Sequence, residues 1–193
     1  MGLWLGTARV SGEAPETAVD QSVERLYASL IDAMKHAQSL GYAGRYEKLA
    51  PVIDETYDLP FVAEKSLGRH WKRLSEEQRL RWVETFSQFT ISTYAERFHS
   101  YSGERFEVMD TEPSLYETFI VRSRLVKPGR DPVRLDYRLR QRDGRWRIID
   151  VYLNGTVSQL ALRRSEYSGI MKREGFEALV QALVEKIRAN RGR

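Results

Sequence analysis

The sequence offers few residues whose types and spacing could do chemistry. Its three histidines, His36, His70 and His99, lie far apart, and none has a second histidine three or four residues away, as a helical metal site would need. Cysteine is absent, which excludes disulfides and thiolate ligands. Motifs of nucleotide-binding loops, serine hydrolases, zinc proteases and calcium loops are also absent. The sequence therefore predicts no catalytic residue, no metal site and no cofactor.

One acidic residue stands among apolar neighbours. Asp150 follows two isoleucines in a run that is typical of a buried strand. Burial raises the pKa of carboxyl groups in general, so a residue in this position could act as a general base. The alternative is a structural acid that pairs with Arg147 or with an arginine on a neighbouring strand. We favour the structural role and keep catalysis at Asp150 as the alternative.

The positive charge is concentrated in one stretch of the chain. The net charge is +4, whereas residues 120–149 contain nine Arg and one Lys against three Asp, or +7, which leaves −3 for the remainder. Arginine binds phosphate and carboxylate groups through two parallel hydrogen bonds. The pattern indicates either a solvated strand face or a docking surface for an anionic membrane or an acidic partner. The candidate docking residues are Arg122, Arg124, Arg134, Arg138 and Arg140.

Period-two patterns indicate the strands that position these arginines. Between Thr118 and Gly155, apolar and charged residues alternate in three successive runs, separated by Lys-Pro-Gly at 127–129 and by a hairpin Asp-Gly at 143–144. A further strand, Arg105–Thr111, precedes them. We therefore predict a four-stranded antiparallel sheet with one apolar face and one arginine face. Nucleic-acid binding is not expected, because it needs exposed aromatic residues among the charges, and Tyr137 falls on the apolar face.

Helical spacing and capping residues define the other elements. Ser75 to Gln78 forms a capping box, Gly41 is a helix-ending residue, and Pro51 is expected to interrupt a helix. The predicted helices are Glu16–Leu40, Arg45–Tyr57 with its interruption, Pro60–Leu67, Glu76–Tyr101, one from Thr156 or Ser158 to Arg173, and Phe176–Ala189.

The order of these elements predicts an α+β fold in one domain. A curved antiparallel four-stranded sheet, NTF2-like or cystatin-like, is covered by helices from both ends of the chain and encloses an apolar cavity. This domain spans residues 16–190, with helices in 16–101, the sheet in 105–153 and helices in 156–189. Residues 1–15 are expected to be a disordered remnant of cloning or of a trimmed export signal. No apolar run approaches the ~20 residues that a membrane span requires.

The longest predicted helix carries an unusually wide aromatic face. Such a face suits either a packed core or the wall of an apolar pocket, and helices laid over a curved sheet tend to leave a cavity open at one end. A pocket of this kind would take an aliphatic ligand. The candidate pocket residues are Phe61, Trp82, Phe86, Phe89, Tyr94, Phe98, Phe119, Val121, Leu135, Tyr137, Leu139, Trp146, Ile148, Tyr152, Tyr167 and Ile170.

Several segments resemble the MlaC-type lipid-binding proteins, also called the toluene-tolerance or ABC-transporter auxiliary family. The similar segments are Gly44–Pro60, Gly68–Trp71, the helix with Phe86 and Tyr94, Asp143–Val151, Gly155, Arg164–Tyr167, Gly175-Phe176, Leu179 and Leu183. The resemblance covers nearly all of Val19–Ile187. Within the family, Tyr101–Val108 and Arg163–Tyr167 are most like the hopanoid-biosynthesis-associated branch, HpnM. Tyr167 stands where most relatives have Phe, which implies a slightly more polar pocket.

The resemblance implies a lipid-binding domain in which the pocket residues surround lipid tails, with the lipid as cargo rather than cofactor. The expected cargo is a phospholipid or a hopanoid, carried through the periplasm by a monomer. The expected partners are an inner-membrane transporter of the ABC/MCE or RND type and an outer-membrane complex. Neither enzymatic activity nor a nucleic-acid partner is implied. Two alternatives stay open: an NTF2-like enzyme that uses Asp150 on a small hydrophobic substrate, and a basic protein-interaction module with a filled core.

Overall fold

The chain consists of a helical first half, a sheet and two closing helices. A computed structural model describes residues 15–192. Disorder was predicted for residues 1–15; residues 1–14 lie outside the described residues, and Pro15 already belongs to the first helix. The elements are α1 (Pro15–Lys35), α2 (Ala37–Thr56), α3 (Leu59–Leu67), a 3₁₀ helix (Gly68–Arg73), α4 (Glu76–Arg97), β1 (Arg105–Ser114), β2 (Thr118–Val126), β3 (Val133–Arg142), β4 (Arg145–Leu153), β5 (Val157–Ser158), α5 (Gln159–Arg173) and α6 (Gly175–Arg191).

The sheet is antiparallel, with its five strands in chain order. This confirms the α+β class and corrects the predicted count of four strands, because the two residues of β5 pair with the end of β4 before α5 begins. The predicted alternation is confirmed in β2, where Val121, Ser123 and Leu125 are buried. Residues opposite each other in an antiparallel pair share a face, so the pairing of Val121 with Tyr137 extends the buried face into β3.

A β-bulge in β4 changes which residues face the helices. Ile148 pairs with Leu139 and Asp150 pairs with Arg138, which leaves Ile149 as an extra residue on β4. Because side chains alternate along a strand, one inserted residue reverses the alternation beyond it. Even-numbered residues of β4 therefore face the helices before the bulge, and odd-numbered residues face them after it.

The first helix ends earlier than predicted. α1 stops at Lys35 rather than Leu40, and its buried residues follow the predicted spacing of three or four, as Val19, Val23, Leu26 and Leu30 show. The backbone leaves helical geometry again at Gly41, whose φ of 58° is in the region that favours glycine. The break therefore extends over several residues between α1 and the regular part of α2.

The predicted interruption at Pro51 is wrong, because α2 continues through it to Thr56. Proline removes one backbone N–H from the helical hydrogen bonds. Leu49 and Ile53, on either side of it, are completely buried. Their packing holds the helix together despite the missing hydrogen bond.

α4 begins at the predicted capping box and is anchored near its start. Gln78 N donates to Ser75 Oγ at 3.2 Å, and Ser75 N donates to Gln78 Oε1 at 3.0 Å. The buried indole N–H of Trp82 donates to the carbonyl of Ala63 in α3 at 3.0 Å. The helix ends at Arg97 rather than Tyr101. Its N-terminal half is therefore fixed to α3, and its C-terminal half extends beyond that contact.

Asp58 connects α3 to the sheet through hydrogen bonds and ion pairs. Its backbone N–H donates to the carbonyl of Ile148 at 3.0 Å, and its carboxylate accepts the N–H of Phe61 at 3.3 Å as the N-cap of α3. The same carboxylate, which is 0% exposed, binds Arg140 at 2.7 Å and Arg142 at 2.6 Å. One buried acid thus holds the start of α3 against both β3 and β4.

Candidate functional site

A cavity of about 340 Å³ lies between α4, α5 and the ends of β3 and β4. This volume is near the lower end of the range of roughly 300–1,000 Å³ that is typical of ligand pockets. α4 and α5 form two of its walls and contact each other through the side chains of Trp82 and Tyr167. The wall is mainly aromatic and aliphatic, so the cavity suits an apolar ligand better than a polar one.

Six of the predicted pocket residues lie in the wall of this cavity. α4 contributes Phe89, Tyr94 and Phe98, and the rings of Tyr94 and Phe98 stack with their centroids 5.7 Å apart. The remaining three are Leu135 and Tyr137 of β3 and Tyr167 of α5. The structure therefore brings together predicted residues from three elements, and their contact with a lipid stays a prediction.

Five other predicted pocket residues fill the core instead. They are completely buried and belong to one cluster of packed apolar side chains: Trp82, Phe86, Val121, Leu139 and Ile148. Trp82 contacts Tyr167, with ring centroids 5.3 Å apart in an edge-to-face arrangement. These residues support the cavity wall from behind.

The last five predicted pocket residues lie in other places. Phe119 and Trp146 pack against each other at 5.1 Å, and Trp146 lines a separate, polar cavity near α1. Ile170 packs on the core, and Phe61 lines a basic cavity described below. Tyr152 lies opposite Asp136 on the arginine face, because the bulge in β4 has reversed the alternation there.

The same bulge explains the cavity residues that the sequence analysis missed on β4. Ile149, Val151 and Leu153 line the cavity in place of Tyr152. An unbroken alternation places the odd-numbered residues on the outer face. The sequence gives no pattern that reveals the inserted residue, so this part of the wall was not predictable from periodicity.

The α5 side of the cavity was also missed, although a pattern could have revealed it. Leu160, Arg163 and Tyr167 are spaced three and four residues apart, which places them on one face of a helix, and all three line the cavity. Only Tyr167 was predicted. The charge and polarity of the intervening residues obscured this face.

The tyrosine hydroxyls in and behind the cavity remain protonated. The hydroxyls of Tyr57 and Tyr94 are hydrogen-bonded to each other. Burial raises the pKa of Tyr57, Tyr94 and Tyr137 above the usual value, and it raises the pKa of Tyr167 to about 12. These groups can therefore donate hydrogen bonds at neutral pH but cannot act as bases there.

The carboxylate of Asp150 is engaged in hydrogen bonds near the start of α5. It accepts hydrogen bonds from Ser158 Oγ at 2.5 Å, from Leu160 N at 3.0 Å and from Val151 N at 2.8 Å. The predicted pairing with Arg147 or with an arginine on a neighbouring strand is wrong, because these three groups bind the carboxylate instead. Arg147 donates to the carbonyl of Asp54. Ser158 is the N-cap residue of α5, and Asp150 binds both its hydroxyl and the N–H of Leu160, so Asp150 has a structural role at the start of this helix.

The predicted docking arginines all have partners within the chain. Arg122 pairs with Glu112, Arg124 with Glu107 and Arg134 with Asp136. Arg138 donates to Thr118 Oγ1 at 3.0 Å and to the carbonyl of Leu115 at 2.9 Å, and Arg140 binds the buried Asp58. Much of the charge on this face is therefore neutralised locally, and docking by these arginines stays a prediction.

A third cavity, of about 490 Å³, is lined by four cationic residues and one acid, Asp150. It lies on the arginine side of the sheet, between α3 and the start of α5. Its four cationic residues are Lys65, Arg138, Arg140 and Arg164. We call it the basic cavity. Its apolar lining includes Phe61, whose ring lies 4.0 Å from the guanidinium carbon of Arg140.

Residues 15–192 contain no group of three or more His, Asp or Glu side chains arranged to hold a metal ion. None of the helices described is both long and apolar enough to cross a lipid bilayer.

Comparisons with known proteins agree with this architecture. Residues 24–185 match the family model described as "MlaC protein". The chain is 23% identical over 178 residues to the "Intermembrane phospholipid transport system binding protein MlaC" of Haemophilus influenzae, covering 89% of this chain and 81% of that protein.

The fold is shared with a solved structure. The phospholipid-binding protein of Ralstonia solanacearum, solved in complex with a phospholipid, superposes with a TM-score of 0.76 at 20% identity. The superposition covers 91% of this chain and 97% of that one. The family match extends from α1 to α6 and includes every element that forms the cavity. The chain described here therefore belongs to the MlaC family.

Proposed function

We propose that this chain is a lipid carrier whose cavity holds the aliphatic part of a phospholipid. The observation that carries the proposal is the mainly apolar cavity enclosed by α4, α5 and the sheet. The Haemophilus influenzae relative is named as a binding protein of an intermembrane phospholipid transport system, and the Ralstonia solanacearum structure contains a phospholipid. Both names support phospholipid, ahead of hopanoid, as the cargo.

Burial of the lipid tail is sufficient to retain the cargo in water. Each buried CH₂ group contributes ~0.8 kcal/mol. A fully enclosed tail of sixteen carbons would therefore contribute on the order of 10 kcal/mol. Because the cavity is small, α4 and α5 must move apart to admit a long tail or a second one. The same movement at a membrane partner would release the lipid.

The carrier would work in the periplasm, as a monomer, between an inner-membrane transporter of the ABC/MCE or RND type and an outer-membrane complex. The word "intermembrane" in the relative's name supports transfer between two membranes. We propose no chemical step on the lipid, since the cavity tyrosines are held protonated and Asp150 is hydrogen-bonded at the start of α5.

The basic cavity is the part of the arginine face best suited to docking. Arg122, Arg124 and Arg134 are each paired with a carboxylate, whereas Arg164 has no ion pair or hydrogen bond among residues 15–192. We propose that the basic cavity contacts the anionic surface of a membrane. Such contacts contribute ~1 kcal/mol per cation near the surface and decline with salt.

Lipid analysis of the purified chain tests the carrier function. The chain is expressed with export to the periplasm, purified without detergent, and extracted into organic solvent for mass spectrometry. We expect about one phospholipid per chain, reduced in Phe89→Asp, which places a charge in the cavity wall, and retained in the adjacent, exposed Gln88→Asp. Recovery of one hopanoid per chain would identify hopanoid as the cargo instead of phospholipid. Recovery of lipid-free protein would contradict the proposal.

A further inference from the structure

Four charged residues reach the wall of the lipid cavity: Arg97, Asp150, Arg163 and Glu166. The two acids already have partners, since Asp150 is hydrogen-bonded at the start of α5 and Glu166 binds Lys186 at 2.6 Å. Arg163 has neither an ion pair nor a hydrogen bond within residues 15–192. The cavity therefore contains an arginine that forms no ion pair with an acid of the described residues.

The surroundings of Arg163 are apolar. The side chain is half-buried, and its guanidinium carbon lies 5.2 Å from the centre of the Phe86 ring and 5.5 Å from that of Phe89. Cation–π contacts of this kind hold the guanidinium group in place. No protein group of residues 15–192 accepts its N–H groups, which remain available to water or to a ligand. A ligand with oxygen acceptors could therefore bind them directly.

The charge of Arg163 acts on the interior of the cavity. It partly offsets the effect of burial on the pKa values of Tyr57, Tyr94 and Tyr167, which come from three different parts of the wall. Arg97 adds a second positive charge from the last turn of α4, at the exposed rim. Both cations therefore lie at the α4–α5 side of the cavity.

We infer that Arg163 selects lipids that carry a phosphate group, by binding the phosphate of a phospholipid whose tail occupies the cavity. This inference rests on the proposed carrier function. A guanidinium group matches two phosphate oxygens with two parallel, charge-assisted hydrogen bonds. Diacylglycerol has the same tails without the phosphate and leaves Arg163 unpaired. The carrier therefore discriminates between two lipids of equal apolar area, which tail burial alone does not do.

A competition experiment tests this selectivity. The delipidated chain is incubated with vesicles that contain equal amounts of phosphatidylglycerol and diacylglycerol with identical acyl chains, repurified, and analysed for bound lipid by mass spectrometry. We expect the wild type to retain phosphatidylglycerol preferentially. Arg163→Gln reduces the ratio of the two bound lipids by about tenfold or more, as expected for loss of hydrogen bonds to a charged group. Arg163→Lys keeps the positive charge but lacks the paired N–H donors of the guanidinium group, and it should give an intermediate ratio.

Two further variants separate selectivity from folding. Arg163→Met keeps an unbranched side chain against the two phenylalanine rings and should show the same loss of selectivity as Arg163→Gln. Arg173→Gln, on the same helix but outside the cavity wall, should leave the ratio unchanged.

The outcomes also separate this inference from the carrier function. Equal retention of both lipids by the wild type, or an unchanged ratio in Arg163→Met, overturns the role of Arg163 and leaves the carrier function intact. A wild-type chain that retains neither lipid overturns both.

Discussion

Arg140 Nη2 lies 2.7 Å from Asp58 Oδ2, and the Asp58 side chain is completely shielded from solvent. The same carboxylate binds Arg142 at 2.6 Å and caps α3. Tyr57, the residue before this acid, lies in the cavity wall. The ion pair therefore holds part of the cavity wall in position from the opposite side of the sheet.

Replacement of this acid should destabilise the fold. Removing one partner of a buried ion pair typically costs about 3–5 kcal/mol, and we expect Asp58→Asn to lower the free energy of unfolding by about 3 kcal/mol, since both arginines are partly exposed. Urea denaturation measures the change. Asp143→Asn removes an exposed acid 3.5 Å from the same Arg142 and should cost less than ~0.5 kcal/mol. Equal effects of the two substitutions would contradict the anchoring role.

Because of the bulge in β4, two adjacent residues should differ in their effect on bound lipid. Val151→Trp should fill the cavity and reduce the lipid that copurifies with the chain, because Val151 lies in its wall. Tyr152→Trp should leave bound lipid unchanged, because Tyr152 lies on the arginine face opposite Asp136. Mass spectrometry of extracted lipid compares the pair, and circular dichroism verifies folding. The reverse order of effects would mean that the alternation is not reversed at Ile149.

Stability should fall at alkaline pH because of the buried tyrosines. Tyr57 has a pKa raised by burial, whereas in the unfolded chain it ionises near the usual value of ~10. Above that value the unfolded chain binds fewer protons than the folded chain, so the free energy of unfolding decreases as pH rises. The loss approaches ~1.4 kcal/mol per pH unit for each such tyrosine.

Denaturation series at pH 8 to pH 11 test this linkage with two variants. Tyr57→Phe should make the alkaline loss of stability shallower. Tyr116→Phe should leave it unchanged, because Tyr116 is 89% exposed. If the free energy of unfolding falls equally steeply with pH in the wild type and in Tyr57→Phe, Tyr57 has the same pKa in the folded and the unfolded chain.

The architecture was largely predictable because its causes are local. Alternation in β2 and β3, the capping box at Ser75 and the three/four spacing in α1 all depend on neighbours along the chain. The failures have tertiary causes. The packing of Leu49 and Ile53 keeps α2 continuous at Pro51. The two residues of β5 form a strand only because they pair with the end of β4.

The cavity was less predictable than the fold. An aromatic face on a helix has the same pattern whether it fills a core, as Trp82 does, or lines a cavity, as Phe89 does. The distinction depends on how far α4 and α5 stand apart, which no local pattern encodes. The predicted arginine face gave no indication that Arg140 pairs with an acid 82 positions away.

Docking to anionic membranes should depend on the basic cavity. Arg164→Gln should bind phosphatidylglycerol vesicles more weakly than the wild type, and the difference should shrink at high salt. Vesicle cosedimentation at two salt concentrations measures this. The control, Arg122→Gln, removes an arginine that is paired with a glutamate. Equal weakening by both variants would assign docking to the whole arginine face.

Photo-crosslinking with a phospholipid that carries a photoreactive group at the end of one acyl chain tests the central claim most directly. The lipid is loaded into the purified chain and irradiated, and labelled peptides are identified by mass spectrometry. We predict labels on the cavity-lining parts of α4 and α5, at residues 89–98 and 159–167. Labels confined to the polar cavity around Trp146, or no label in a folded and loaded chain, would contradict the assignment of the lipid to this cavity.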